Sequence, residues 1–179
     1  MPRGKNEAKS FSRLVEELGG VPVEIPLIAF RPILPSHEVE TIIQQLHEYD
    51  WIIFTSNITV ETFLTSYQGT IAIFPKIAAI GKQTSSVLHS KGLTVDFIPN
   101  QYVAEGFVHD FLPHVHQGMK VLIPKGNLAR DYIAEALTNA GAYVDEMVVY
   151  ETYLPEDSKE RLKELLTTKQ LDVLTFTSP

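Results

Sequence analysis

The chain has 179 residues, of which 44% are hydrophobic and 21% are charged, which is typical of a globular protein. Its formal net charge of −7 argues against nucleic-acid binding, and the lack of cysteine excludes disulfides, thiolate metal sites and a cysteine nucleophile. No apolar run approaches the roughly 18 residues that a membrane crossing needs, and the first five residues form no apolar signal region, so we expect a cytoplasmic protein without membrane contact.

In chain order, the apolar spacing predicts helices and strands in almost strict alternation. The predicted elements are a helix over 11–18 ended by Gly19 and Gly20, a strand over 21–28, a helix over 39–46, a strand over 51–54, a helix from residue 59, a strand over 77–80, a helix over 83–89, a strand over 93–98, a short helix over 107–112, a strand over 121–123, a helix over 128–139 ended by Gly141, a strand over 143–150, a helix over 159–166 and a strand over 173–176. This alternation predicts an α/β fold with a parallel, doubly wound sheet. In such sheets ligands bind beyond the carboxyl ends of the strands.

The sequence also repeats itself with an offset of about 122 residues. Residues 50–57 return as 172–179, and 172 − 50 = 122; residues 2–4 return as 124–126 at the same offset. A long internal repeat predicts two similar units, and two such units would form a cleft suited to a small ligand. Because the first copy lacks a strand before Pro2 and the second copy stops at Pro179, we expect about one and a half repeats, cut at both ends.

Two proline-bearing segments, 29–36 and 151–157, are predicted to connect the two lobes. The predicted domains are a complete α/β lobe over 36–150 and an incomplete lobe built from both chain ends, 1–33 plus 153–179.

Three loops that follow predicted strands are suited to binding an anion. They comprise 54–57, 81–85 and 124–127, and in the first two Ser56, Asn57 and Thr84 lie at or near a helix start. Such residues can simply cap the helix, but the free N–H groups and the dipole of a helix N-terminus can also hold a carboxylate. None of the loops has the spacing of a Walker A loop or of a dinucleotide-binding fingerprint, so nucleotide hydrolysis is rejected.

Tyr150 ends a predicted strand next to a connector, where it is either a packed hinge residue or a phenol that donates a proton in a cleft. His109, His114 and His116 lie near Asp110 in sequence, but we interpret them as solvated loop residues in preference to metal ligands.

Together these features resemble the uroporphyrinogen-III synthase (HemD) family over nearly the whole chain. The segments that carry the resemblance are 50–57, 79–84, 92–99, 104–106, 121–126, 149–152 and 176–179. Each is short, but their order and spacing together make the likeness specific. The chain departs from the family at both ends.

The resemblance implies two flavodoxin-like, doubly wound parallel-sheet lobes joined by a two-stranded linker, with the second lobe incomplete in this chain. It also implies a lyase without metal or organic cofactor. The enzyme would cyclise hydroxymethylbilane to uroporphyrinogen III, inverting ring D and losing water, in heme biosynthesis. A monomer is expected, and the reaction allows a transient hand-off of the bilane from hydroxymethylbilane synthase.

The resemblance further implies roles for individual residues. The tyrosine matching Tyr150 would be the general acid that helps the terminal hydroxyl of the bilane to leave. The positions expected to grip the carboxylates of the substrate are Ser56, Asn57, Gly81, Gln83, Thr84, Glu105, Gly106, Lys125, Gly126, Asn127 and Ser178. Since part of one lobe would be missing, we expect this chain to fold around 36–150 but to catalyse inefficiently.

Two other functions remain open from the sequence. A non-catalytic two-lobed protein that binds an anionic small molecule would be indifferent to Tyr150→Phe. A flavin-binding protein of the same architecture would purify with a yellow chromophore.

Overall fold

The computed structural model describes residues 4–34, 36–67 and 74–175. The chain divides into two compact units. We call Pro32–Glu151 the central unit, and Met1–Arg31 with Thr152–Pro179 the terminal unit.

Helices and strands alternate along the chain, as the sequence predicts, except that α5 follows α4 without a strand between them. In order they are α1 (Gly4–Glu17), β1 (Ala29–Pro32), α2 (His37–Gln44), a 3-10 turn (Leu46–Glu48), β2 (Trp51–Phe54), α3 (Asn57–Ser66), β3 (Lys76–Ala79), α4 (Lys82–Ser90), α5 (Ala104–Phe111), a second 3-10 turn (Leu112–His114), β4 (Lys120–Gly126), α6 (Tyr132–Asn139), β5 (Tyr143–Tyr153) and α7 (Glu156–Thr167).

The strands form one five-stranded sheet in the order β1-β5-β4-β2-β3. β2 pairs in parallel with both β3 and β4, and β4 pairs in parallel with β5. The prediction of an α/β fold with a largely parallel sheet is therefore confirmed. Because these four strands run the same way, their carboxyl ends lie at one edge of the sheet.

Apolar side chains cover both faces of this sheet in the central unit. Along β2, Trp51 and Ile53 belong to one buried cluster, whereas Ile52 and Phe54 belong to another. Helices α5 and α6 pack on the first face, and α3 and α4 pack on the second. The predicted strand over 51–54 is confirmed, since its alternate side chains point to opposite faces and all four are buried.

Two glycines end helices as predicted. Gly19 follows α1 with a φ of 82°, and Gly141 follows α6 with a φ of 98°. Only glycine adopts this left-handed conformation without strain, so the chain can leave the helix there.

Three predicted strands are wrong. Residues 21–28 form no strand, and the strand in this region is β1, inside the segment that the sequence predicts as a connector. Residues 93–98 contribute a single bridge, between Ala78 and Phe97. Residues 173–175 form no strand, and residue 176 lies outside the described residues. An apolar run becomes a strand only where a neighbouring strand supplies hydrogen bonds, and that depends on distant parts of the chain.

The boundary between β4 and α6 also differs from its prediction. The sequence predicts that the strand ends at residue 123 and that the helix begins at 128, but β4 continues to Gly126 and α6 begins only at Tyr132. Pro124, Lys125 and Gly126 therefore belong to a strand and do not form the predicted loop at a helix start. The pairing of 124–126 with β5 satisfies backbone groups that a loop would expose.

Candidate functional site

Most of the predicted site residues lie at the carboxyl edge of the sheet in the central unit. Following the strand order, the edge carries Tyr150 on β5, Gly126 at the end of β4, Ser56 after β2 and Gly81 after β3. With about 4.8 Å between neighbouring strands, this row extends over roughly 14 Å. It is long enough to contact several groups of one extended ligand.

Ser56 and Asn57 form the start of α3. The Ser56 hydroxyl accepts a hydrogen bond from the Thr59 backbone N–H at 3.2 Å, and the Thr59 hydroxyl accepts one from the Ser56 backbone N–H at 3.2 Å. This reciprocal arrangement is a capping box, so the capping role considered from the sequence is present. The Oδ1 atom of Asn57 is buried and has no hydrogen-bond partner among the described residues.

Gly81 lies at the start of α4 without a side-chain cap. A Cβ atom added to Gly81 would lie 3.1 Å from Cβ of Tyr102, so the tyrosine packs closely over this turn. The Lys82 ammonium lies 5.9 Å from the centroid of the same ring. Tyr102 is therefore a residue of this edge that the sequence reasoning missed, and no motif pointed to it.

The two other predicted residues of α4 differ in accessibility. Gln83 is exposed, whereas Thr84 is 4% exposed and belongs to the buried part of the helix. Gln83 is therefore available to a ligand in this structure, and Thr84 is not.

Lys125 is a buried cation with two carboxylate partners. Its ammonium contacts Asp131 Oδ1 and lies 2.9 Å from Glu146 Oε1, and its side chain is 9% exposed. Burial lowers the pKa of Lys125, but the hydrogen bonds to Asp131 and Glu146 outweigh burial and raise the pKa above its ordinary value. The expectation that Lys125 grips a substrate carboxylate receives no support from this geometry, because its charge is already neutralised.

Gly126 and Tyr150 are in direct contact. A Cβ atom added to Gly126 would lie 2.5 Å from Cζ and 2.7 Å from Oη of Tyr150. The backbone N–H of Asn127 donates a hydrogen bond to the Tyr150 carbonyl at 3.1 Å. The structure thus brings together Gly126, Asn127 and Tyr150, which the sequence analysis proposed as site residues one by one.

Glu105 and Gly106 open α5 on the same side of the central unit. Glu105 accepts a hydrogen bond from Arg130 at 3.1 Å, and both side chains are largely exposed. The pKa of Glu105 is lowered, first by its own backbone N–H and then by Arg130. Gly106 is buried against Gln101, so it serves close packing.

The remaining predictions concern Ser178 and the histidines. Ser178 lies outside the described residues. His109 pairs with Asp110 at 2.9 Å, and the pKa of Asp110 is lowered chiefly by the backbone N–H of Asn100. Within the described ranges, no group of three His, Asp or Glu side chains is placed to hold a metal ion. No helix in those ranges is long and apolar enough for a bilayer crossing.

Comparison with known proteins identifies the family. The family model described as uroporphyrinogen-III synthase HemD matches residues 9–179. The chain belongs to the uroporphyrinogen-III synthase family. The resemblance found in the sequence is thereby confirmed, and with it the expected class of enzyme.

Relatives within the uroporphyrinogen-III synthase family match almost the whole chain. A putative uroporphyrinogen-III synthase of Methanothermobacter thermautotrophicus is 31% identical over 171 residues, which cover 93% of this chain and 67% of that protein. The uroporphyrinogen-III synthase of Synechococcus elongatus is 28% identical over 181 residues, or 98% and 68% of the two chains. The chain therefore spans about two thirds of the length of these relatives.

A solved structure supports the same fold. A mutant uroporphyrinogen III synthase from Thermus thermophilus superposes with a TM-score of 0.65 at 20% identity, covering 93% of this chain and 67% of that one. At this identity the similarity establishes the fold.

Proposed function

We propose that this chain carries the uroporphyrinogen-III synthase activity, converting hydroxymethylbilane to uroporphyrinogen III with inversion of ring D and loss of water. The observation that carries the proposal is the family match over residues 9–179. The row of candidate residues at the carboxyl edge of a parallel sheet is consistent with it, since this edge is where such folds bind ligands.

The finer architecture belongs to the same proposal. The central unit would be one complete flavodoxin-like lobe, and the terminal unit would be part of a second lobe, with β1 and β5 as the linking strands. Its support is the division of the chain at residues 31–32 and 151–152 and the helices on both faces of the parallel strands.

Tyr150 is the proposed general acid. The terminal hydroxyl of the bilane leaves as water when it receives a proton, and a phenol O–H can supply that proton. The departure leaves an electrophilic azafulvene, which the substituted carbon of ring D then attacks. Tyr150 is half-buried at the edge of the sheet, which suits a proton donor that must be shielded from water and still reach the substrate.

The remaining task is to hold one conformation of the bilane. The substrate closes unaided to the type I isomer, so the correct product depends on orientation. Its carboxylates would contact the exposed Gln83 and the backbone N–H groups at the start of α4, which no side chain caps. Because the bilane is short-lived, we also propose that a monomer of this chain receives it by transient hand-off from hydroxymethylbilane synthase.

The test supplies hydroxymethylbilane, generated in situ by its synthase, to the 179-residue chain. The porphyrinogens are oxidised and the isomers are separated. Since inefficient catalysis is expected of this chain, type III product should form slowly but above the unassisted background, and Tyr150→Phe should lower its rate by about 10²-fold or more. A product of type I alone would contradict the proposal and favour a protein that binds the bilane or another anion without catalysis.

A further inference from the structure

The contact between Gly126 and Tyr150 bears on how the ring of the proposed proton donor is positioned. Gly126 is the last residue of β4 and is buried, and its Cα faces the phenol ring. Any side chain at this position would overlap Cζ, Cε2 and Oη of Tyr150, all within 2.7 Å of the added Cβ. Gly126 does not adopt the left-handed backbone conformation that favours glycine. The reason for a glycine here is therefore the space that the ring occupies.

A β-bulge directs the tyrosine to this space. Lys125 pairs with Val148, but the next residue of β4, Gly126, pairs with Tyr150, so β5 contains one extra residue. In a regular strand Val149 and Tyr150 would point to opposite faces of the sheet. With the bulge, both contact the same buried cluster. Bulges re-aim side chains in this way and are common beside active sites.

Two contacts hold the bulge, one on each side. Before it, the Lys125 ammonium joins β4 to Glu146 of β5 at 2.9 Å. After it, the Asn127 N–H binds the Tyr150 carbonyl at 3.1 Å. These contacts fix the register of β4 against β5 at the residue pair where the ring must fit.

We propose that Gly126 is a positioning residue that forms the seat of the Tyr150 phenol, and that the Lys125–Glu146 pair and the Asn127 hydrogen bond lock the bulge that aims the ring into this seat. Lys125 and the backbone N–H of Asn127 then act through Tyr150, and Lys125 does so in place of gripping substrate. The catalytic importance of the seat rests on the function proposed above, but its existence does not.

The first test is a double-mutant cycle on thermal unfolding with Gly126→Ala, Tyr150→Ala and the double variant. With Tyr150 present, the added methyl forces the ring out of its seat, and the melting temperature should fall by about 5 °C. In the Tyr150→Ala background the same substitution meets no ring and should leave the melting temperature unchanged or slightly higher. Folding of the double variant where Gly126→Ala alone does not fold would support the seat equally well.

The same Gly126→Ala substitution is made in both backgrounds. Its effect on the unfolded chain therefore cancels when the two changes in melting temperature are compared. Equal losses in both backgrounds would overturn the proposal, and so would loss of folding in both. Either result would mean that the phenol ring is not what excludes a side chain at position 126.

The second test measures kcat and KM for formation of the type III isomer. Gly126→Ala should lower kcat by about tenfold to a hundredfold with KM within about twofold, because a displaced donor affects the transition state more than binding. In a Tyr150→Phe background, Gly126→Ala should cause no further loss of kcat, which a merely structural role would not predict. An additive loss would overturn the positioning role.

The two tests separate the two proposals. Coupling in the unfolding cycle together with an inert Tyr150→Phe would leave the seat standing and contradict the role of Tyr150 as proton donor. A large loss of kcat in Tyr150→Phe without coupling in either cycle would support Tyr150 as the proton donor and contradict the seat formed by Gly126.

Discussion

The two units are built from the same kinds of elements but are stabilised differently. Every buried hydrophobic residue among those described lies between Leu46 and Val149, in the central unit. Among residues 9–31 and 152–175 of the terminal unit Ser158 alone is buried, whereas Phe11 is 41% exposed and Leu18 is 81% exposed. An amphipathic pattern therefore predicts a helix in both units, but burial of its apolar face depends on what packs against it.

Polar and surface contacts are prominent in the terminal unit. The Ser12 hydroxyl donates a hydrogen bond to Glu24 at 2.7 Å, and the Arg31 guanidinium lies 4.8 Å from the centroid of the Tyr153 ring. A cavity of 310 Å³ opens beside α7 and is lined largely by leucines. Since exposed contacts of this kind contribute little to stability, the free energy of folding should come mainly from the central unit.

The largest expected difference is between two Phe→Ala substitutions. Phe111 is fully buried between Trp51 and Phe107, and its loss should cost about 3–5 kcal/mol of unfolding free energy. Phe11→Ala removes a side chain that is already 41% exposed, and should cost less than about 1 kcal/mol. Guanidinium titration followed by fluorescence of Trp51, the single tryptophan, compares the two. Similar losses of unfolding free energy in the two variants would contradict the inferred difference in stability between the two units.

A smaller loss is expected where the buried cation of the central unit is removed. Lys125→Met leaves Asp131 and Glu146 without their partner, and since both remain partly exposed we expect a loss of about 1–3 kcal/mol. The matched control is Lys120→Met, because the Lys120–Glu48 pair is exposed on both sides and its loss should matter much less. If Lys120→Met lowered the free energy of unfolding in urea more than Lys125→Met, the stabilising role of the Lys125 ion pairs would be contradicted.

The raised pKa of Lys125 gives this contribution a pH dependence. A group whose folded pKa lies above its unfolded value of about 10.4 contributes fully below that pH, and the contribution is lost as the pH rises through the folded pKa. The stability difference between the parent protein and Lys125→Met should therefore be constant from about pH 7 to 9 and shrink above about pH 10.4. A difference that shrinks already between pH 7 and 9 would contradict the pairing.

The smallest expected effect concerns the cap of α3. Ser56→Ala removes the acceptor for the Thr59 N–H and one half of the capping box, which should cost about 1 kcal/mol. Ser36→Ala is the matched control, because Ser36 caps α2 with one exposed hydrogen bond of 3.3 Å and should lose less. Thermal unfolding distinguishes them. A larger loss at Ser36 would show that exposure does not decide the strength of these caps.

The sequence by itself determined the features that depend on neighbouring residues. The unbroken apolar run of β2 predicted a strand buried on both faces, and Ser56 and Gly141 predicted a helix start and a helix end. Such features rest on side-chain spacing, local capping and glycine conformation, which a short segment carries within itself. The order of short motifs also identified the family, which the match over residues 9–179 confirms.

The tertiary structure alone decided which apolar runs became strands and how the site residues meet. Residues 21–28 carry a strand-like pattern but form no strand, while β4 extends through Lys125 and Gly126 because β5 pairs with them. The sequence suggested that Lys125 binds an anion. In the fold its ammonium pairs with Glu146, 21 positions away in the chain. The phenol of Tyr150 meets Gly126 only because a bulge shifts the register of two strands. Strand pairing and ion pairing join residues that are distant in sequence, so no local pattern records them.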